Sequence, residues 1–255
     1  MKHTVAFLAV LLLAPLTTLP ATAAPASPPN ILFILADDLG IKDMSVEGST
    51  LHETPHIDSI ANEGMRFTEG YSTCQVCSPS RASILTGKYP VNHGITDYIG
   101  AAVGQAWKRN DKVMPSEYLR HLNHDDTTLA EALAAGGYKT FFAGKWHLGD
   151  EAEYQPNKRG FDEVYIHGAG GIGQSYPGSC GDVPGNSYYG PTILHNGKFA
   201  KTAGYCTDEF FAQATKWIEG EAAAKRPFYA YIATNAPHGP YHARPEDAAL
   251  YEGKG

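Results

Sequence analysis

The chain has 255 residues, of which 43% are apolar and 18% charged, and it carries a formal net charge of −7 at pH 7. That length supports one large hydrophobic core, and the mildly acidic balance, with no basic run interleaved with aromatics, excludes a nucleic-acid partner. The 27 glycines, 17 prolines and 15 tyrosines point to a loop-rich surface rather than a helical bundle.

In chain order, residues 1–23 read as an export signal. Lys2 and His3 open it, Val5 to Leu16 is an almost unbroken apolar run, and Ala21-Thr22-Ala23 offers a small-x-small cleavage site. The run is too short to cross a bilayer and no stop-transfer pattern follows. The expected location is therefore the periplasm or the extracellular space, with no membrane span after signal cleavage. Residues 24–29 form a Pro-rich spacer, and 30–255 is the folded domain.

Asn30 to Ala36 is a continuous apolar run ending in Asp37-Asp38-Leu39-Gly40, which predicts a fully buried central strand. Pro55 to Gly64 has Ile57, Ile60 and Ala61 at helical spacing. Thr128-Leu-Ala-Glu131 is a capping box for a short helix that Gly136-Gly137 ends. Tyr138 to Gly144 predicts a second buried strand, followed by Lys145-Trp146-His147. Asn196-Gly197 between apolar pairs is a hairpin signal. Thr207-Asp208 can cap a helix to about Ala224 that buries Phe210, Phe211, Ala214, Trp217 and Ile218. Phe228 to Ala233 predicts a third buried strand before Asn235-Ala236-Pro237-His238.

Strands alternating with helices predict an α/β domain with helices on both faces of the sheet. The polar residues Asp37, Asp38, Lys145, His147 and His238 all follow strands. In such sheets ligands bind beyond the carboxyl ends of the strands, so these residues mark the candidate site.

Two segments carry unusual chemistry. Adjacent carboxylates at Asp37 and Asp38 repel and are costly to desolvate without a cation between them. A hard cation such as calcium suits them better than zinc, and a solvated turn with a helix cap is the plainer alternative. Cys77-Ser78-Pro79-Ser80-Arg81 opens a short helical stretch, which puts Cys77 where free N–H groups favour an anion. Arg81, one turn on, adds positive charge at the same end. A structural cysteine paired with Cys74 is the alternative. In an oxidising compartment the four cysteines would ordinarily form two disulfides. A Cys180–Cys206 bridge would contribute about 3 kcal/mol by loop closure, and no second ligand pair stands at zinc spacing.

The run Cys77-Ser-Pro-Ser-Arg81-Ala-Ser-Ile-Leu-Thr-Gly-Lys88-Tyr-Pro-Val-Asn-His93-Gly resembles the signature of the type I sulfatases, in the alkaline-phosphatase-like superfamily. Asn30 through Gly40 resembles that family's first strand and metal-binding aspartates. Gly144-Lys145-Trp146-His147-Leu148-Gly149, Arg159-Gly160-Phe161-Asp162 and Ala236-Pro237-His238 resemble three further family segments, in the family order.

The resemblance implies a mixed, mostly parallel central sheet flanked by helices and an N-terminal catalytic domain over 30–255. It implies that a maturation enzyme oxidises Cys77 to formylglycine, whose hydrated aldehyde attacks the sulfur of a sulfate ester. Asp37, Asp38 and residue 77 would bind Ca²⁺. Arg81, Lys145 and Lys88 would stabilise negative charge, His147 would hold or deprotonate the nucleophile, and His238 would protonate the leaving oxygen. His93 would either act chemically or buttress the Cys77 helix. The implied substrate is a sulfated carbohydrate or an aryl sulfate. A phosphonate or phosphodiester hydrolase of the same superfamily and an inactive sulfatase-like fragment are the alternatives.

Family members continue past the Ala-Pro-His segment to an Asp-Asn pair that completes the calcium site, and then to a sulfate-binding lysine. No Asp-Asn pair follows His238 here. The domain is accordingly expected to be incomplete at its C-terminal end. Alone, it is expected to bind calcium weakly, aggregate easily and turn over little.

Overall fold

The computed structural model describes residues 27–108, 112–168, 170–171, 180–181 and 183–254. The expected signal peptide, the first half of the spacer and part of the glycine-rich stretch at 168–173 lie outside the described residues.

Among the described residues, the strands are β1 (Ile31–Asp37), β2 (Lys139–Lys145), β3 (Glu163–His167), β4 (Thr192–His195), β5 (Lys198–Lys201) and β6 (Phe228–Pro237). The helices are α1 (Pro55–Glu63), α2 (Cys77–Thr86), α3 (Pro90–His93), α4 (Leu129–Ala135), α5 (Cys206–Ala223) and α6 (Pro245–Ala249). The strands form one sheet in the order β1-β6-β2-β3-β4-β5. Its first three neighbouring pairs are parallel and its last two antiparallel, so the expected mixed, mostly parallel α/β sheet is present.

Alternation along β6 divides the core in two. Tyr229, Tyr231 and Ala233 face one layer, with Ala82 and Leu85 of α2, Ala130 of α4 and Phe142 of β2. Phe228, Ala230 and Ile232 face the other, with Phe141 and Ala143 of β2 and Phe210 and Ala214 of α5. Each large apolar side chain so buried contributes about 1.5–3 kcal/mol. A strand with both faces covered must be apolar at every position, which is why β2 and β6 read as unbroken runs.

β1 departs from expectation. It lies at the edge of the sheet, paired with β6, and Leu32 and Ile34 are 50% and 45% exposed while Phe33 and Leu35 pack on the core. A continuous apolar run specifies a strand but not its place in the order, because that depends on distant pairing. α1 is also less buried than its spacing suggested, with Ile60 67% exposed. β3 carries no signal long enough to be read from sequence.

Local chemistry was more faithful. Thr128 Oγ1 accepts from Glu131 N at 3.0 Å, and Glu131 Oε2 accepts from Thr128 N at 2.8 Å, so α4 opens with the expected box. Asn196 and Gly197 turn the β4–β5 hairpin with φ of 47° and 80°. α5 starts at Cys206, one residue before the expected cap, with Tyr205 in the capping position and no side-chain cap bond. All four cysteines are free thiols, so neither the Cys180–Cys206 bridge nor a Cys74–Cys77 pair is formed.

Candidate active site

The site begins with the turn into α2. Val76 is extended and Cys77 takes the first helical position. Pro79 falls in the first turn, where a missing N–H costs nothing, and the remaining free amides and helix dipole give this end a positive character. Asp37 and Asp38 leave the carboxyl end of β1 alongside. A cavity of about 250 Å³ is lined by Asp37, Asp38, Cys74, Cys77, Ser80 and Arg81. A second, of about 400 Å³, is lined by Cys77, Tyr98, Ile99, Gly100, His147, Gly170 and His238. Cys77 is common to both.

Asp37 is clasped by two cations. Lys145 Nζ lies 2.6 Å from Oδ2 and Arg81 Nη2 lies 3.2 Å from Oδ1, all three side chains being buried. Burial alone would push the Asp37 carboxyl up, but Arg81 and Lys145 outweigh it and hold it below the usual carboxylate range. Arg81 also donates from Nη1 to the Lys145 carbonyl at 2.7 Å, while its Nε has no hydrogen-bond partner among the described residues. Lys145 stands at the end of β2, directly after Gly144, whose φ of 105° lets the chain pass against β6.

His147 follows with φ 56°, and Asp38 has φ 61°. Two non-glycine residues in the left-handed region at one site mark local strain held in place by the surroundings. His147 Nε2 donates to the Ile99 carbonyl at 2.9 Å, and Nδ1 is buried without a hydrogen-bond partner among the described residues. Burial, reinforced by Lys145 and Arg81, pushes this imidazole down to about 3, so it is neutral with a free lone pair on Nδ1. His238 donates from Nδ1 to the Gly239 carbonyl at 2.6 Å and sets Nε2 3.6 Å from Asp38 Oδ2.

The structure thus gathers Cys77, Arg81, Lys145, His147, His238, Asp37 and Asp38, and leaves two candidates out. Lys88 lies beyond the far end of α2, about 15 Å along a ten-residue helix, and its ammonium holds the Asp126 carboxylate. His93 is buried, bonded through Nε2 to Ser83 Oγ at 3.1 Å, and accepts the Ile95 amide on Nδ1 at 3.2 Å. Of the two roles expected for it, buttressing α2 is the one its contacts describe.

Sequence reasoning missed the segment 98–100. Ser78 Oγ accepts the Ile99 amide at 3.1 Å and the Ile99 carbonyl fixes His147, so one residue's backbone ties α2 to the imidazole. A backbone role leaves no residue-type signal. His167 is fully buried and its Nε2 is hydrogen-bonded to Asn235 Oδ1 beneath the site.

The family model described as Sulfatase matches residues 29–254. The chain belongs to the sulfatase family. It is 33% identical over 232 residues to the N-acetylgalactosamine-6-sulfatase of Canis lupus familiaris, covering 88% of this chain and 42% of that protein. The chain therefore spans less than half the length of that sulfatase. Among solved structures it is similar to the crystal structure of Ps i-CgsB, with 31% identity and a TM-score of 0.72 over 88% of this chain and 49% of that one. It is also similar to BT4656 in complex with its substrate D-glucosamine-2-N,6-O-disulfate, with 31% identity and a TM-score of 0.68 over 89% of this chain and 38% of that one. No helix among the described residues of this sulfatase-family chain is long and apolar enough to cross a membrane.

Proposed function

We propose that the full-length protein is an exported hydrolase of sulfate esters acting on a sulfated carbohydrate, with Cys77 oxidised to formylglycine by a maturation enzyme and Ca²⁺ held by Asp37 and Asp38. The observation that carries this reading is the meeting of Cys77, His147 and His238 on one cavity, next to the Asp37–Arg81–Lys145 cluster. A relative named for a sulfated amino sugar and another solved with one support a glycan substrate.

The residues fit a hard cation. Asp37 and Asp38 offer oxygen alone, they line one cavity with residue 77, and Asp37 stays ionised. No group of three or more His, Cys, Asp or Glu side chains gathers as metal ligands among the described residues. The pair would thus furnish part of a shell of roughly six to eight oxygens. When bound, calcium would polarise the sulfate oxygens and ease formation of an alkoxide at residue 77. Formylglycine would supply one hydroxyl to attack sulfur and a second whose deprotonation expels sulfate.

The remaining roles fall to this chain's own side chains. The first turn of α2, Arg81 and Lys145 concentrate positive potential where charge develops on the transferring group. Neutral His147 accepts the nucleophile's proton on Nδ1. His238, with Nδ1 committed to Gly239, delivers a proton from Nε2 to the leaving oxygen.

Full-length protein produced together with a formylglycine-generating enzyme should release inorganic sulfate from sulfated amino-sugar oligosaccharides faster than from aryl sulfates. Cys77→Ser should lower kcat by about 1,000-fold or more, the scale of losing a nucleophile. Sulfate release confined to aryl sulfates would overturn the glycan assignment. Faster cleavage of an aryl phosphodiester than of any sulfate ester would overturn the reaction class.

A further inference from the structure

His238 begins a loop, 238–243, that leaves the end of β6, and its Nδ1 bonds the Gly239 carbonyl within that loop. Inside it the His242 amide reaches Pro240 O at 2.9 Å, and the His238 amide reaches back to Asn235 O at 2.9 Å. Three phenol hydroxyls hold the loop from outside. Tyr188 Oη donates to the His238 carbonyl at 3.2 Å, Tyr205 Oη to the His242 carbonyl at 2.7 Å, and Tyr189 Oη to the Ala243 carbonyl.

The three tyrosines are themselves one unit. Tyr189 and Tyr205 face each other across an antiparallel bridge, the Cys206 amide donates to Tyr188 O at 2.8 Å, and the Gly190 amide donates to Gly204 O at 2.7 Å. The Tyr188 and Tyr205 rings stack with centroids 6.0 Å apart, and Tyr188 is 2% exposed. Burial pushes the Tyr188 and Tyr205 hydroxyls up, so both remain O–H donors throughout the physiological range. A carbonyl fixed at residue 238 also fixes the plane from which the imidazole projects, because backbone position sets where a short side chain can reach.

We propose that Tyr188, supported by Tyr205 and Tyr189, is a positioning residue that sets the reach of His238 toward the leaving oxygen. The proposal rests on His238 acting as the general acid. Loss of the Tyr188 hydroxyl leaves the ring packing intact, so the defect appears in proton delivery. Substrates whose leaving group needs a proton suffer, and those with an acidic leaving group do not.

The test uses the full-length, formylglycine-bearing enzyme and a series of sulfate esters graded by leaving-group pKa, from nitrophenols to alkyl alcohols. Tyr188→Phe should leave the nitrophenyl ester within about twofold of wild type and lower kcat on the alkyl ester about tenfold, the scale of one lost hydrogen bond. KM should stay unchanged and the leaving-group plot should become steeper. Tyr188→Phe combined with Tyr205→Phe should steepen it further. His238→Asn serves as the reference. If it steepens the plot and Tyr188→Phe leaves the slope unchanged or lowers all esters equally, the positioning role is wrong. If His238→Asn itself leaves the slope unchanged, the general-acid reading falls and takes this proposal with it.

Discussion

Arg159 has no exposed surface, and its guanidinium is spent on two backbone carbonyls and one carboxylate. Nη1 donates to Leu122 O at 2.8 Å, Nη2 to Asp126 O at 2.6 Å and Nε to Glu131 Oε1 at 3.1 Å. The Arg159-Gly-Phe-Asp segment resembles a family motif, yet its contacts are those of a brace beneath α4. Arg159→Leu would strand two buried carbonyls and one carboxylate, so a loss of about 3–5 kcal/mol is expected, measured as a shift in the urea midpoint. Catalytic parameters of the fraction that folds should change little. At this scale the gathering of Asp37, Lys145 and His147 was legible because each follows an apolar strand run. Lys88 and His93 stand apart from the cavity because neighbours in a motif separate along a helix: the start of α2 faces the cavity, and the residues after its end do not. The free Nδ1 of His147 could not be foreseen, since it depends on a carbonyl 48 residues away.

Gly144 shows how an element meets its neighbour. A Cβ there would lie 1.8 Å from Ala233 O, and φ is 105°, so β2 and β6 close on each other only with glycine in place. Gly144→Ala should therefore cost about 3 kcal/mol or more and displace Lys145, lowering both thermal midpoint and turnover; a variant with wild-type values for both would refute this. β2 and β6 were legible as strands because burial on both faces forces uninterrupted apolar sequence. β3 was not, since its five residues, Glu163–His167, are polar at both ends. The edge position of β1 was hidden for another reason: strand order is a long-range property, and a seven-residue run holds no record of it.

Across the whole molecule, two apolar layers sandwich the sheet and the reactive groups collect where β1, β6 and β2 end. That placement was legible, because a parallel sheet directs its loops to one edge. The oxidation state of the cysteines was not. Cys180 and Cys206 are buried and their thiols are pushed up to about 12, chiefly by burial. Cys74 and Cys77 are half-buried at a cavity. In protein whose Cys77 is unconverted, iodoacetamide under native conditions should label Cys74 and Cys77 and spare Cys180 and Cys206, with all four labelled in urea; peptide mass mapping reads this directly. Protection of Cys180 and Cys206 that persists in urea and yields to a reductant would instead reveal a bridge.

The sheet order has a bearing on timing. Among the described strands β1 pairs with β6 alone, and the side chain of Asn30, just before β1, accepts from the Phe228 amide 198 residues further on. A chain made from its N-terminus therefore releases its first strand long before that strand's partner exists. Through that interval Asp37 and Asp38 have no framework to hold them over α2, and Cys77 lies on a segment still open to other proteins. Closure of β6 ends the interval. For the maturation enzyme proposed above, the topology itself gives an opportunity to reach residues 77–81, and sets the moment at which that opportunity is withdrawn.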